Sequence, residues 1–472
     1  MAPRLSPDEL AAALGAHLGG TVTGVRRLSG GASRSTSAFD LVDADGASVP
    51  LIVQVDRGDT AQGANMRTER ALLEAAKAAG VPVPAVVAMG DGTGEDPVGA
   101  GWLVVERLVG ETIPRKILRD EEWTEARTML AAQCGEALAG VHGIAPDAIE
   151  GLPGRDPLAD PLPWLDALGE VRPALELGAR WLASRRPPPG PRVTVHGDFR
   201  LGNLLVGPGG LRGVLDWELA HAGDPAEDVG WLCAPPWRFG GAGEVGGFGT
   251  LEELLGAYEE AGGTGVDRAT VHWWEVYATV KWATICALQA SAHLSGATRS
   301  VELAAIGRRV CESEWDLFGL LGVAPAASAV SPRPTSPVTT AAAAAAETAT
   351  ETVAPPPFGR PTAAELVEAV REYVERVVME HSDGGARFDA RVARNALAIV
   401  ERELRIGPEL AASHARRLRH LGFDDDAALA AAVRAGELDD DGAWQPVAAA
   451  LAASARDQLL VANPGYLPAP GD

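Results

Sequence analysis

Ser6-Pro7-Asp8-Glu9 opens the pattern with an N-cap, a proline at the first helical position and a capping-box glutamate, followed by apolar Leu10 and Leu14, and so predicts a short helix. Three β-rich segments follow at 22–28, 36–42 and 48–55, separated by Ser29-Gly30-Gly31-Ala32-Ser33 and by Asp43-Ala44-Asp45-Gly46, as two antiparallel connections would require. Residues 66–79 turn helical, stop at Gly80, and give way to Val81-Pro82-Val83-Pro84, whose prolines bar a helix. Another strand is predicted at 102–105. Predominantly helical spans at 121–143, 160–184, 250–262 and 268–318 complete the first two-thirds of the chain. Strands around one helix, then a run of helices, predict an α+β fold of two unlike lobes with a cleft between them. Inside the helical part, two short strand-like runs at 193–195 and 213–215 flank a polar turn, the natural place for chemistry.

Residues 322–360 are almost entirely Ala, Pro, Ser and Thr, with six alanines running from Ala341. Such a stretch buries too little apolar surface to order itself, so it is expected to be a disordered linker, with few contacts crossing it and two folded pieces released by a cut there. Beyond it, Thr362-Ala363-Ala364-Glu365 is a capping box opening a helix with Leu366, Val370, Val374 and Val377 on one face. Helical patterns continue at 389–406, 409–421, 426–435 and 444–461, with Gly407-Pro408 as a stop, and predict a small all-α bundle. The expected organisation is 1–107 and 108–321 as the two lobes, 322–360 as linker and 361–472 as the helical domain.

A length of 472 residues fits more than one core, and the 55 Gly and 34 Pro fit a chain with generous turns and a linker. The formal net charge of −23 opposes binding to a phosphate backbone and excludes nucleic acid as an expected partner. No basic-then-apolar leader and no uncharged apolar run of about 18 residues is present, so a cytoplasmic protein without membrane attachment is expected. Cys134, Cys233, Cys286 and Cys311 lack metal or disulfide spacing and are expected to be buried free thiols.

The polar turn carries His196-Gly197-Asp198-Phe199-Arg200-Leu201-Gly202-Asn203, then Leu215-Asp216-Trp217-Glu218, then Gly223-Asp224-Pro225-Ala226-Glu227-Asp228. Phosphoryl transfer needs a carboxylate to take the proton of an attacking hydroxyl, and oxygen ligands to hold magnesium against nucleotide phosphates. Asp198 suits the first task, and the Asn203 carbonyl with the Asp216 carboxylate suit the second. Taken singly each reads as a turn former. In this order, between apolar strands, they read as a site.

The same stretch resembles the catalytic and metal loops of the aminoglycoside phosphotransferase and choline kinase group of kinase-like folds, over about residues 20–320. Its fuller string is most similar to phosphotransferase domains fused to some acyl-CoA dehydrogenases. The resemblance implies ATP and Mg2+ as cofactors, Asp198 as catalytic base, Asn203 and Asp216 as metal ligands, and His196 and Asp228 as supports of the catalytic loop. It also implies a nucleotide set of Gly30, Gly31 and Ser33 in the glycine-rich hairpin, the strand position at Gln54, the helix glutamate Glu69, and Glu106. The strand departs from the family pattern, because Gln54 stands where a Lys or Arg usually pairs with the helix glutamate; Arg57 and Arg67 are candidate substitutes. Trp231, Trp237, Phe239 and His272-Trp273-Trp274 read as packing of the helical lobe, with some able to line an acceptor pocket.

Phosphorylation of a small-molecule hydroxyl follows from this resemblance, with a hydroxyacyl-CoA or hydroxy acid as the implied acceptor. A second reading, motivated by Gln54, is a nucleotide-binding regulatory or scaffold protein with little transfer. The helical tail resembles an uncharacterised bacterial domain through Arg387-Phe388-Asp389-Ala390-Arg391-Val392-Ala393 and Ile399-Val400-Glu401-Arg402-Glu403-Leu404, and a scaffold or docking role towards a protein partner is expected of it.

Overall fold

A computed structural model describes residues 5–28, 34–56, 66–92, 96–156, 161–323 and 361–468. The chain divides into two compact units, one made of Met1–Ala159 with Ser184–Thr279 and the other of Asp160–Ala183 with Val280–Asp472. Most of the expected linker, residues 324–360, lies outside the described residues.

The first unit is built on an antiparallel sheet with strands β1 (Thr21–Arg27), β2 (Arg34–Val42), β3 (Ser48–Asp56), β4 (Val86–Gly90) and β5 (Trp102–Glu106), in the order β1-β2-β3-β5-β4. Alternation along β3 decides what each face does. Leu51 and Val53 point into an apolar core with Leu14, Phe39, Trp102 and Val104, closed by the helix Pro7–Leu18 whose capping box forms as expected. Each such side chain, fully buried, contributes about 1.5–3 kcal/mol. Ile52 and Gln54 face the other way and line a cavity. The helix Met66–Ala78 buries Glu69 along with Leu72 and Leu73, an arrangement that requires a cation nearby. Sequence reading passed over β4, an edge strand that follows the Val81-Pro82-Val83-Pro84 segment, and the short helix Pro114–Arg119.

Past the helix Thr124–His142, the unit forms β6 (Val193–Val195), β7 (Leu204–Gly207), β8 (Gly210–Val214) and β9 (His221–Gly223), with β7 pairing β8 and β6 pairing β9. Leu201 and Val206 pack with Ile117, Trp123, Ala126 and Leu130, which anchors the loop between β6 and β7 to the helix beneath it.

The second unit is helical. Predicted helical spans, of which 268–279 belong to the first unit, are interrupted: 160–184 breaks into Pro161–Leu168 and Pro173–Ser184 at Gly169 (φ +68°), and 268–318 into Arg268–Leu294, Val301–Ile306 and Val310–Leu320 at Gly296 (φ +81°). The expected stop at Gly407-Pro408 is overturned, because one helix, Gly384–His420, runs through it. Its buried positions Ile399, Leu410 and Leu418 keep helical spacing on both sides of the proline, and packing there offsets the lost amide hydrogen bond.

The helices Asp426–Ala435 and Asp441–Ala462 bury Leu429, Val433, Val447 and Leu451 against Ala174, Leu177 and Phe318. Tyr466 Oη donates to Asp316 at 2.6 Å and Asn463 Nδ2 to Glu312 at 2.9 Å. Contacts therefore join residues on both sides of 324–360, contrary to the expectation that few would. Cleavage within 324–360 should leave two fragments that co-elute on gel filtration and melt together, separating only in denaturant; fragments that part in native buffer would contradict this packing. Among the described residues no helix is long and apolar enough to cross a membrane, and all four cysteines are buried and free.

Candidate active site

The turn after β6 begins with a position only glycine can fill. Gly197 has φ +81°, and a Cβ there would lie 2.4 Å from the Leu219 carbonyl oxygen. Asp228, fully buried, accepts from the amides of His196 at 2.8 Å and Gly197 at 2.9 Å, and its Oδ2 lies 3.3 Å from His142 Nε2. Burial opposes the Asp228 charge, but these hydrogen bonds and the neighbouring histidines hold its carboxyl below the usual range. His196 is buried against Trp217, donates from Nε2 to the Leu215 carbonyl at 3.1 Å and accepts from the Asp198 amide at Nδ1 at 3.3 Å. Burial holds it neutral. Both residues thus brace the turn from below.

Asp198 leaves this turn with its carboxylate fixed by three donors. Oδ1 accepts from Trp231 Nε1 at 2.8 Å and Arg200 Nε at 2.9 Å, and Oδ2 from Asn203 Nδ2 at 2.6 Å. The Arg200 guanidinium stacks 4.8 Å above Trp237, which packs between Trp231 and Phe239. Sequence reading favoured a packing role for these aromatics; the structure carries Trp231 to the carboxylate itself. Trp273 and Trp274 pack on Tyr277, and Trp274 lies against Gly230, the residue before Trp231.

Because Asn203 Nδ2 is spent on Asp198, its Oδ1 is the atom available to a cation. The Asn203 carbonyl accepts from the Leu215 amide at 2.9 Å, tying the loop to the next candidate ligand, Asp216. Asp216 sits at φ +66°, a left-handed conformation that costs a non-glycine residue of order 1–3 kcal/mol and clusters at functional sites. Burial, then Glu218, Asp198 and Glu69, push its carboxyl up to about 7, against the opposing Arg34. An excess of carboxylates over cations at this point suits a hard divalent cation. Among the described residues no three His, Cys, Asp or Glu side chains form a ready metal cage. Magnesium fits nonetheless, since it keeps waters and takes phosphate oxygens beside one or two protein ligands.

Glu69 is 2% exposed and paired with Arg34, the first residue of β2. Arg34 Nε also lies 3.4 Å from Asp56 and 3.5 Å from Glu218. Burial alone would lower the Arg34 pKa; Glu69, Glu218 and Asp56 more than offset it and keep the guanidinium charged. Sequence reading sought this cation on β3 and missed it. Gln54 does line the cavity together with Glu69 and Asp216, but it carries no charge. Of the proposed substitutes, Arg67 is an exposed residue 3.9 Å from exposed Asp91, and Arg57 lies outside the described residues, as do Gly30, Gly31 and Ser33.

The cavity beside this cluster has a volume of about 360 Å3, and Ala38, Ile52, Val105, Leu205 and Leu215 give it an apolar lining. Glu106 also lines it, and the Glu106 amide donates to the Ala85 carbonyl at 2.9 Å. The size and the apolar-with-few-polar lining suit a flat heteroaromatic ring. Asp224 accepts from the amides of Gly190 and Ala226, both at 2.9 Å, and so braces a loop.

Residues 380–466 match a domain of unknown function (DUF6285). A 63-residue stretch is 44% identical to acyl-CoA dehydrogenase family member 10 of Mus musculus, covering 13% of this chain and 6% of that protein. Another of 62 residues is 40% identical to acyl-CoA dehydrogenase family member 11 of Gallus gallus, covering 12% and 8%. The matches span only a small part of these curated relatives. The fold is similar to a crystal structure from Ralstonia eutropha, provisionally described as an aminoglycoside phosphotransferase, with 21% identity, a TM-score of 0.51, and 68% of this chain and 99% of that one covered. That likeness speaks to the fold alone. Residues 24–274, which hold all of the sheet but the start of β1, the cavity and the Asp198, Asn203 and Asp216 cluster, match the phosphotransferase enzyme family, and the chain belongs to it.

Proposed function

We propose that this phosphotransferase moves the γ-phosphoryl group of ATP to a hydroxyl of a small molecule, with a hydroxyacyl-CoA or related hydroxy acid as the acceptor. The observation behind the reading is the fixed Asp198 carboxylate beside Asn203 and Asp216, at a cavity sized for a nucleotide base. Oδ1 is occupied by Trp231 and Arg200, so Oδ2 is the oxygen with capacity to take the hydroxyl proton. As that proton moves to Asp198, the acceptor oxygen bonds to the γ-phosphorus, the bond to the bridging oxygen breaks, and ADP departs. Asn203 and Asp216 would hold magnesium, which supplies charge neutralisation for the phosphates. The acceptor class draws support from the short stretches shared with acyl-CoA dehydrogenase family members.

The alternative is a nucleotide-binding regulator with little transfer, motivated by the uncharged Gln54 on the strand; the Arg34–Glu69 pair supports the transfer reading by giving the helix glutamate a cation from β2. A panel of hydroxyacyl-CoAs and hydroxy acids incubated with ATP and magnesium tests the choice. Phosphorylated product by mass spectrometry, with stoichiometric ADP, is expected. Tight nucleotide binding without product from any hydroxyl compound would favour the regulator.

A further inference from the structure

We propose that Arg34 is the phosphate-binding cation of this site, supplied from β2 in place of a β3 lysine or arginine. The inference rests on the ATP-dependent reading above. Strand register carries the argument. Arg34 pairs with Asp56 and Thr36 with Gln54, so Arg34 and Gln54 are diagonal neighbours on adjacent strands. Thr36 and Gln54 both line the cavity, and the two-residue period of β2 puts Arg34 on the same face as Thr36. Diagonal positions on one face lie about 7–8 Å apart, within the span of an arginine side chain. A guanidinium rooted at 34 therefore reaches the region a β3 cation at 54 would occupy.

Its surroundings fit that task. Arg34 touches Glu69 on one side and Glu218, two residues from Asp216, on the other, so it bridges the helix and the loop that flank the candidate metal position. An arginine presents five N–H donors along different edges of one plane, and can serve Glu69 and a phosphate oxygen together. With the charge on β2, a neutral Gln54 avoids a second buried cation beside the first.

Calorimetric titration with magnesium and the ATP analogue AMP-PNP, and separately with adenosine, tests the assignment on the full chain. Arg34→Gln should weaken AMP-PNP binding at least about tenfold, the scale of one lost charge-assisted contact, and leave adenosine affinity unchanged. Gln54→Lys added to Arg34→Gln should restore part of the loss. Because Arg34→Gln strands Glu69, the pair Arg34→Gln/Glu69→Gln is the control for folding: it should melt as a folded protein and keep the AMP-PNP deficit. Wild-type AMP-PNP affinity in that double variant would reduce Arg34 to a structural partner of Glu69 and overturn the proposal, as would an equal loss for adenosine, or no recovery with Gln54→Lys. Absence of AMP-PNP binding by the wild-type chain would instead bring down the ATP-dependent reading itself, before any variant is compared.

Discussion

Asp198→Asn should slow phosphoryl transfer by about a hundred- to ten-thousandfold, the usual contribution of a positioned general base. The amide cannot accept the hydroxyl proton, yet it fills the same volume. Asp198 now accepts from Trp231 and Arg200 on one oxygen and from Asn203 on the other. If the new amide turns its oxygen to Trp231 and Arg200, its NH2 faces the Asn203 NH2, and the Asn203 amide must flip to relieve two donors in contact. The Asn203 oxygen then leaves the metal side. Magnesium dependence should therefore shift to higher concentration in this variant while adenosine binding is unaffected; initial rates across a magnesium series, with adenosine titrations beside them, read both effects. Wild-type turnover would remove Asp198 from the mechanism.

Asp216→Asn should nearly abolish magnesium-dependent nucleotide binding, and its effect on the apo protein should have the opposite sign. Burial and the surrounding carboxylates raise the Asp216 carboxyl from 3.8 to about 7. A proton held more tightly in the folded chain than in the unfolded one stabilises the fold at low pH. That contribution is fully present below about pH 4 and is lost as pH rises through about 7. Asparagine is neutral throughout, so apo Asp216→Asn should melt several degrees higher than wild type near pH 8, with the gain shrinking towards pH 4. In the wild type, magnesium competes with the proton, and metal-dependent nucleotide affinity should fall about tenfold per pH unit below about 7 and level off above it. Differential scanning calorimetry and titrations at several pH values measure the two trends. A flat pH profile, or a variant less stable than wild type at pH 8, would refute the account of Asp216.

The candidate site loop was legible because its polar residues are contiguous: His196 to Asn203 sit within eight positions, and Asp216 follows after one hairpin. The structure brings Asp198 and Asn203 into direct hydrogen bonding, and Asp216 into the same cluster of charges. Arg34 was not legible in the same way. Its partner Glu69 is 35 positions away, and which strand supplies a cation to a helix glutamate depends on sheet register, which no local pattern in β2 or β3 reveals. Trp231, 33 positions from Asp198, was hidden for a similar reason, since an indole in an apolar helix reads as core until its N–H direction is known. Pro408 misled in the other direction. Local propensity ends a helix there, and the apolar face that continues from Ile399 to Leu418 overrides it.

The most direct measurement is a structure of the full chain with magnesium, AMP-PNP and a hydroxyacyl-CoA acceptor. The account predicts the base in the cavity between Ile52 and Leu205, the metal on Asn203 Oδ1 and Asp216, and the acceptor hydroxyl within hydrogen-bond reach of Asp198 Oδ2 on the far side of the γ-phosphorus from the departing ADP. A nucleotide bound away from that cavity, or a metal that leaves both Asn203 and Asp216 uncoordinated, would contradict it.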